Sequence, residues 1–374
     1  MKYYNEISHL IQGAISEDKL MVTAYAQQLI DKLSKDGEKL AAKGLTEHIL
    51  NQAPKTTSAS SRTYSLSRPV PVEKDNRFSL ADKTTPSIKE SNVFLSLDNE
   101  STIDAFLAYL QKKDKLSAAG IPINPTLLLH GQPGTGKSKL ANFLAAKLNL
   151  PLVTARSDAL ISSYLGSTSK NIRSLLEYAQ TEPCVLFLDE FDAIAKARDD
   201  KNEIGELKRV VVSLLQNIDN LGDTILVAAT NHVHLLDPAV GRRFHYKLEL
   251  MPPKERERQR LITSIFRNFD VDMKAFDICV AASEGMTGAE IEIAAFEYLR
   301  HSVVNDQSLT YIGLLKELLI VSHPWLSFSD SESKQELIPR LKEINTKLFT
   351  GKLLADLWGV TPSYISKLLK ERKL

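Results

Sequence analysis

The sequence predicts an α/β fold: a P-loop parallel sheet with a small helical lid domain, plus helical N- and C-terminal segments. Three observations predict it. Four short apolar runs, at 127–130, 151–154, 184–188 and 225–229, are separated by stretches with the three-to-four spacing of amphipathic helices, the alternation that builds a parallel sheet. A glycine-rich run, GQPGTGKS at 131–138, falls between the first of these strands and the helical pattern SKLANFLAAKLNL. From about 253 to 305 the patterns are helical only, which suits a smaller domain beside the sheet.

Taken in chain order, residues 1–50 carry apolar positions at helical spacing (Ile7, Leu10, Ile11 and Ala14, then Tyr25, Leu29, Ile30 and Leu33), predicting a small helical module. Residues 51–91 are rich in Ser, Thr, Pro and Lys. They have too few large apolar side chains to offset chain entropy, so a flexible linker is expected there. The sheet domain is expected over 92–252, the lid over 253–307 and a helical extension over 308–374. No internal repeat is found.

Composition narrows the function classes. At 374 residues and 43% hydrophobic content, two or three domains with real cores are expected. Lys plus Arg (47) nearly balance Asp plus Glu (46), so no global basic field argues for nucleic acid. Only Cys184 and Cys279 are present, without metal-ligand spacing, which fits a reducing compartment. MKYYNEISHL lacks the charged start and apolar core of a secretory leader, and no apolar stretch approaches the roughly 20 residues that span a bilayer. A cytoplasmic protein without membrane association is expected. His232 and His234 have no third ligand nearby and are read as loop residues.

The chemistry is concentrated in two motifs. In 131–138 the glycines Gly131, Gly134 and Gly136 let successive backbone N–H groups curl around a phosphate, and the following helix start adds positive potential. Lys137 would reach the β- and γ-phosphates, and the Ser138 hydroxyl would hold Mg²⁺. About fifty positions later, VLFLDE carries Asp189 and Glu190 to the carboxyl end of a strand. Asp189 would bind the metal through water, and Glu190 would polarise the attacking water. The two halves together predict ATP binding and hydrolysis. The expected nucleotide contacts are Gly131, Gln132, Pro133, Gly134, Thr135, Gly136, Lys137, Ser138 and Lys139, with Asp189, Gly288 and Ala289.

Over roughly 92–305 the sequence resembles the AAA ATPases, especially their protein-remodelling clade. SDALISSYLGSTSKNIRSLLEYA, FLDEFDAIAKAR, VAATN, LLDPAVGRRF and EGMTGAEIE follow one another in the family's order. The resemblance implies that Asn231 acts as the sensor asparagine, bonding the attacking water and the γ-phosphate. It implies that Arg242 and Arg243, adjacent as in the katanin and spastin type, supply arginine fingers to a neighbouring subunit. A site shared in that way implies a closed ring, a homo-hexamer in the family. Tyr164, Leu165 and Gly166 correspond to the first pore loop, in which a tyrosine packs against a threaded polypeptide, and 199–205 matches the second by position. Gly288 and Ala289 stand where other ring ATPases carry a sensor arginine, and residues 93–95 lie where the family's segment before the P-loop meets the base.

The chain ends in LLADLWGVTPSYISKLLKER, 353–372, with Ala355, Gly359, Val360, Ile365 and Leu368 at helix-turn-helix spacing. Thr361 would cap the second helix and Pro362 would open it. Five basic residues against two acidic ones over 351–374 make DNA phosphate contact feasible, with Tyr364 and Lys367 facing the groove. The same spacing equally serves a helix corner packed on protein. Three functions remain: an ATPase remodelling or threading a protein target, a DNA-associated ATPase positioned by 351–374, and an ATP-dependent switch controlling an effector such as a protease.

Overall fold

The computed structural model describes residues 26, 29–30, 32–33, 70–73, 79–88, 91–161, 165–195, 206–271, 273–328 and 334–371, with only the backbone described at 165–166, 206–209 and 274. The chain divides into two compact units, Met1–Pro69 and Val70–Leu374. In the first, the described residues are helical and Ile30 and Leu33 are buried, on the spacing expected; the rest of the N-terminal module lies outside the described residues.

The second unit begins with β1 (Ala81–Thr84), followed by α1 (Leu97–Gln111), α2 (Lys113–Ala118), β2 (Thr126–His130), α3 (Lys137–Leu148) and β3 (Leu152–Ala155). Next come α4 (Ser157–Leu160), α5 (Leu165–Thr181), β4 (Val185–Leu188), α6 (Asp192–Ala195), α7 (Glu206–Asp219), β5 (Ile225–Thr230), α8 (Pro238–Gly241) and β6 (Tyr246–Glu249). Seven helices complete it: α9 (Glu255–Phe266), α10 (Asp277–Ala282), α11 (Gly288–Val304), α12 (Tyr311–Ser322), α13 (Lys334–Ile344), α14 (Gly351–Trp358) and α15 (Pro362–Glu371).

The six strands form one sheet in the order β1-β3-β4-β5-β2-β6, parallel except for β1. The central strands are buried on both faces, which is why they read as unbroken apolar runs. Their side chains still alternate. Leu127, Leu129, Val185, Phe187, Val227 and Ala229 pack with Phe106 of α1 and Leu140 and Leu144 of α3. Leu128, Leu186, Leu188, Leu226 and Ala228 pack on the other face with Leu175 and Leu176 of α5 and Leu214 of α7. Three layers result, and every parallel strand delivers its carboxyl end to the same edge.

β1 corrects the linker expected over 51–91. Ala81 to Thr84 pair antiparallel with Ala155 to Leu152, and Leu80 and Ala81 are almost fully buried. The composition argument averaged over forty residues and missed that ADKT needs one buried side chain and a backbone partner, not an apolar run. β6 escaped for a similar reason. In YKLE only Leu248 is fully buried, with Tyr246 on the same face partly buried against Phe106, as befits an edge strand.

The helices after β6 share one core running from Leu261 to Leu368. No packing boundary falls at 307/308: α11 lies on α12 so closely that a Cβ on Gly313 would sit 2.2 Å from the ring of Tyr298. The expected lid and C-terminal extension are therefore one helical body. At its end, Thr350 caps α14, Gly359 ends it with φ +63, and the Thr361 hydroxyl accepts from Tyr364 N. Ala355, Ile365 and Leu368 are buried, while Tyr364, Lys367 and Lys370 are exposed. No helix among the described residues is long and apolar enough to cross a membrane. Cys184 and Cys279 are free and buried; burial pushes the Cys184 thiol up to about 12 and raises that of Cys279 as well.

Candidate functional site

A cleft of about 620 Å³ opens at the carboxyl edge of the sheet, where β2, β4 and β5 end beside the start of α11. β5 lies between β4 and β2, so residues just beyond these three strands converge. Pro133 to Lys139, Asp189, Glu190, Asn231, Gly288 and Ala289 all line it.

The loop after β2 is held by a close backbone approach. Gly131 has φ +144, and a Cβ there would fall 2.1 Å from the carbonyl oxygen of Leu250. Leu250 N in turn donates to His130 O at 2.7 Å, continuing the β2–β6 pairing. Gly134 packs its backbone on the lid: Ala289 N donates to Gly134 O at 3.1 Å. Thr287 and Glu290 form a capping box that fixes the first turn of α11 at that contact.

Lys137 opens α3 and is only 7% exposed. Its ammonium donates to Gly131 O and Gln132 O, both at 2.8 Å, leaving one of three donors for a phosphate oxygen. Burial lowers its pKa, while Asp189 and Asp192 work in the opposite direction. The Ser138 hydroxyl donates to Asp189 Oδ2 at 2.9 Å, and Glu190 N donates to Asp189 Oδ1 at 2.9 Å. The two motifs, fifty residues apart in sequence, thus meet through one hydrogen bond. Two oxygen groups side by side are the donor set that Mg²⁺ takes in sites where phosphates and water complete the shell.

Glu190 follows β4 with φ +49, and Phe191 N returns the chain to the sheet by donating to Ala229 O. Glu190 is exposed to the cleft, as a base acting on a bound water must be. Asn231 is exposed just past β5, and its neighbour Thr230 is tied to Asp192 through its hydroxyl. His130, at the end of β2, has its pKa lowered, mainly by burial, with Glu249 opposing.

The arginine pair is split. Arg243 makes a bidentate ion pair with Asp219 (3.1 and 3.2 Å) and donates to Ala239 O at 2.9 Å. Asp219 accordingly raises its pKa. Arg242 is exposed and has no partner among the described residues, and neither arginine lines its own chain's cleft. Tyr164 and residues 199–205 lie outside the described residues; Leu165 and Gly166 begin α5. His232 precedes a short 3-10 turn and His234 lies within it, and no cluster of potential metal ligands occurs among the described residues.

Apolar residues also line the cleft. Residues 93–95 line it as expected, together with Met251, Pro252 and Leu261. Arg260 fastens this wall by pairing with Glu100 at 2.8 Å and lying 5.4 Å from the centre of the Phe94 ring. Sequence reasoning missed Glu257, which also lines the cleft. The signal was its place four residues before Leu261, on the buried face of α9.

A glycine loop at a helix start, a buried lysine, and a serine and two acids brought to one sheet edge define a P-loop nucleotide-hydrolysing domain. Residues 127–251 match the family described as ATPase family associated with various cellular activities (AAA). An uncharacterized AAA family ATPase, y4kL, of Sinorhizobium fredii is 35% identical over 284 residues, 75% of this chain and 84% of that protein. Proteasome-activating nucleotidase 1 of Haloferax volcanii is 31% identical over 53% of this chain and 51% of its own length. Peroxisomal ATPase PEX6 of Arabidopsis thaliana is 31% identical over 65% of this chain, but that match spans only 27% of its own length. The chain belongs to the AAA family and is an ATPase.

Proposed function

We propose that the chain is a ring-forming motor, a cytoplasmic homo-hexamer that couples ATP hydrolysis to remodelling or threading of a protein target. The observation that carries this reading is the split arginine pair: the Arg242 side chain is exposed, without a partner among the described residues, and outside its own cleft, while Lys137, Ser138, Asp189, Glu190 and Asn231 line that cleft. An exposed guanidinium beside an incomplete site suits donation to the next protomer, where it would offset the charge that spreads over the γ-phosphoryl oxygens. Arg243, held by Asp219, would position the segment instead. The name of one relative, a proteasome-activating nucleotidase, favours action on a protein.

Within the site, the loop backbone and Lys137 would bind the β- and γ-phosphates, and Gly288 and Ala289 would close over the nucleotide from the lid. Ser138 and Asp189 would hold Mg²⁺, which when bound spreads the charge of the β- and γ-phosphates. Glu190 would take the proton of the attacking water, Asn231 would orient that water against the γ-phosphate, and Tyr164 would grip the target. Mixing tests the shared site. Protomers carrying Arg242→Ala and protomers carrying Lys137→Ala should each be inactive alone and together should recover part of the ATPase rate. Absence of recovery in rings shown to contain both would refute sharing.

A second reading has its own observation, the exposed face of α15 with Tyr364, Lys367 and Lys370 above a buried Ile365 and Leu368. It would seat in a major groove, giving DNA binding that weakens steeply with salt and is lost with Lys367→Glu. A switch acting on a separate protease is the third reading. It predicts that Tyr164→Ala leaves the effector's response intact.

A further inference from the structure

We propose that Asp192 and Thr230 are positioning residues, a side-chain tie that holds Asn231 in place relative to Glu190. The inference rests on the roles given above to Glu190 and Asn231 and deepens them by naming what fixes one against the other.

Glu190 and Asn231 follow neighbouring strands, β4 and β5, and both line the cleft. The two segments leave the sheet under different constraints. Beyond Glu190 packing anchors the chain: Phe191 is fully buried with its ring 5.5 Å from that of Phe244, Ile194 and Ala195 of α6 are buried, and Phe191 N donates to Ala229 O at 2.8 Å. Beyond β5 packing does no such thing. Residues 231–234 are all exposed, so the place of Asn231 must be set by hydrogen bonds.

Thr230 supplies them. It is the last residue of β5 and only 1% exposed. Its hydroxyl accepts from His232 N at 2.9 Å and donates its one proton to Asp192 Oδ1. Accepting from His232 alone would make an ordinary local turn. The donation reaches 38 residues along the chain to the packed segment that carries Glu190, and a buried bond to a carboxylate is among the stronger kinds. Asn231 is thus bracketed: the residues before and after it share one oxygen, and that oxygen is fastened beside Glu190. A water activated by one side chain and oriented by the other needs both within hydrogen-bond reach at once, and a misplacement of about 1 Å can cost about 10²-fold in rate. Asp192 has a second effect, because its charge favours the ammonium form of Lys137. Thr230 carries no charge, so its replacement separates positioning from that field.

The test is phosphate release by the full chain at saturating ATP, with ATP affinity titrated separately. Thr230→Val keeps the outline of the side chain and suits a strand; it should lower kcat about tenfold and leave ATP affinity within about twofold. Thr230→Ser returns the hydroxyl and should recover turnover to within about threefold of wild type. The deciding measurement is a double-mutant cycle. Asn231→Ala should lower kcat about 10²-fold, and adding Thr230→Val to it should cost less than about twofold more, because the group being positioned has gone. Asp192→Ala should show the same non-additivity with Asn231→Ala, which keeps the proposal open to refutation should Thr230→Val fail to fold. Unchanged kcat in Thr230→Val would overturn the assignment, as would a loss that Thr230→Ser does not recover. Equal losses from either positioning variant in the wild-type and Asn231→Ala backgrounds would overturn it as well, leaving a purely structural contact. Unchanged kcat in Asn231→Ala would instead overturn the role of Asn231 on which the proposal stands.

Discussion

Gly131→Ala is the sharpest test of how the loop is built. The added Cβ falls 2.1 Å from Leu250 O and 3.0 Å from Leu250 C, so a van der Waals overlap of about 1 Å must be relieved. The obstacle is backbone, and it cannot rotate away. Moving Leu250 stretches the 2.7 Å hydrogen bond from Leu250 N to His130 O, worth about 1 kcal/mol. The alanine is in addition held at φ +144, at a cost of roughly 1–3 kcal/mol. The two together give about 2–4 kcal/mol, divided between a lower melting temperature and a distorted phosphate loop. Two kcal/mol alone corresponds to about 30-fold in an equilibrium constant. Thermal unfolding and ATP titration of the same variant measure both parts. Native melting combined with native ATP affinity would refute the packing argument.

Glu190→Gln should bind ATP with near wild-type affinity and lose at least about 10²-fold in turnover, read as phosphate release under saturating ATP; unchanged turnover would remove Glu190 from the chemistry. Arg243→Ala should lower the melting temperature without the cross-protomer rescue that Arg242→Ala shows, because its partners are Asp219 and Ala239 of its own chain. His130 sets a pH dependence. Its folded pKa lies below the ordinary 6.5, so the unfolded chain binds more protons in the window just beneath that value, and stability falls as pH drops through it. In His130→Gln that part of the acid-side slope in denaturant-measured stability should disappear; an identical slope would show that His130 does not carry it.

The sequence was legible where burial was two-sided. β2, β4 and β5 are covered on both faces, so their interior positions are apolar and the run announces itself. β1 and β6 are edges with a single fully buried side chain each, which four residues cannot signal above background. The phosphate end of the cleft was legible because contiguous loops build it and its glycines and acids are fixed by chemistry. The rest of the cleft lining was legible only at residues 93–95, through family resemblance. Much of it comes from Met251, Pro252, Glu257 and Leu261, whose residue types are ordinary for a helix start and mean something only once β6 has brought them opposite α1. Helical patterning runs on both sides of 307/308, so it could not show that one hydrophobic core spans that position.

The single core uniting α9 through α15 has a mechanical consequence. Gly134 of the phosphate loop is tied by a hydrogen bond to Ala289 at the head of α11, and α11 shares its hydrophobic interior with α15. Through that shared interior, a load borne by the terminal helix can reach the mouth that would hold the triphosphate. Linkage makes that traffic two-way: whatever docks on α15 must alter nucleotide affinity by the same factor as nucleotide alters the docking.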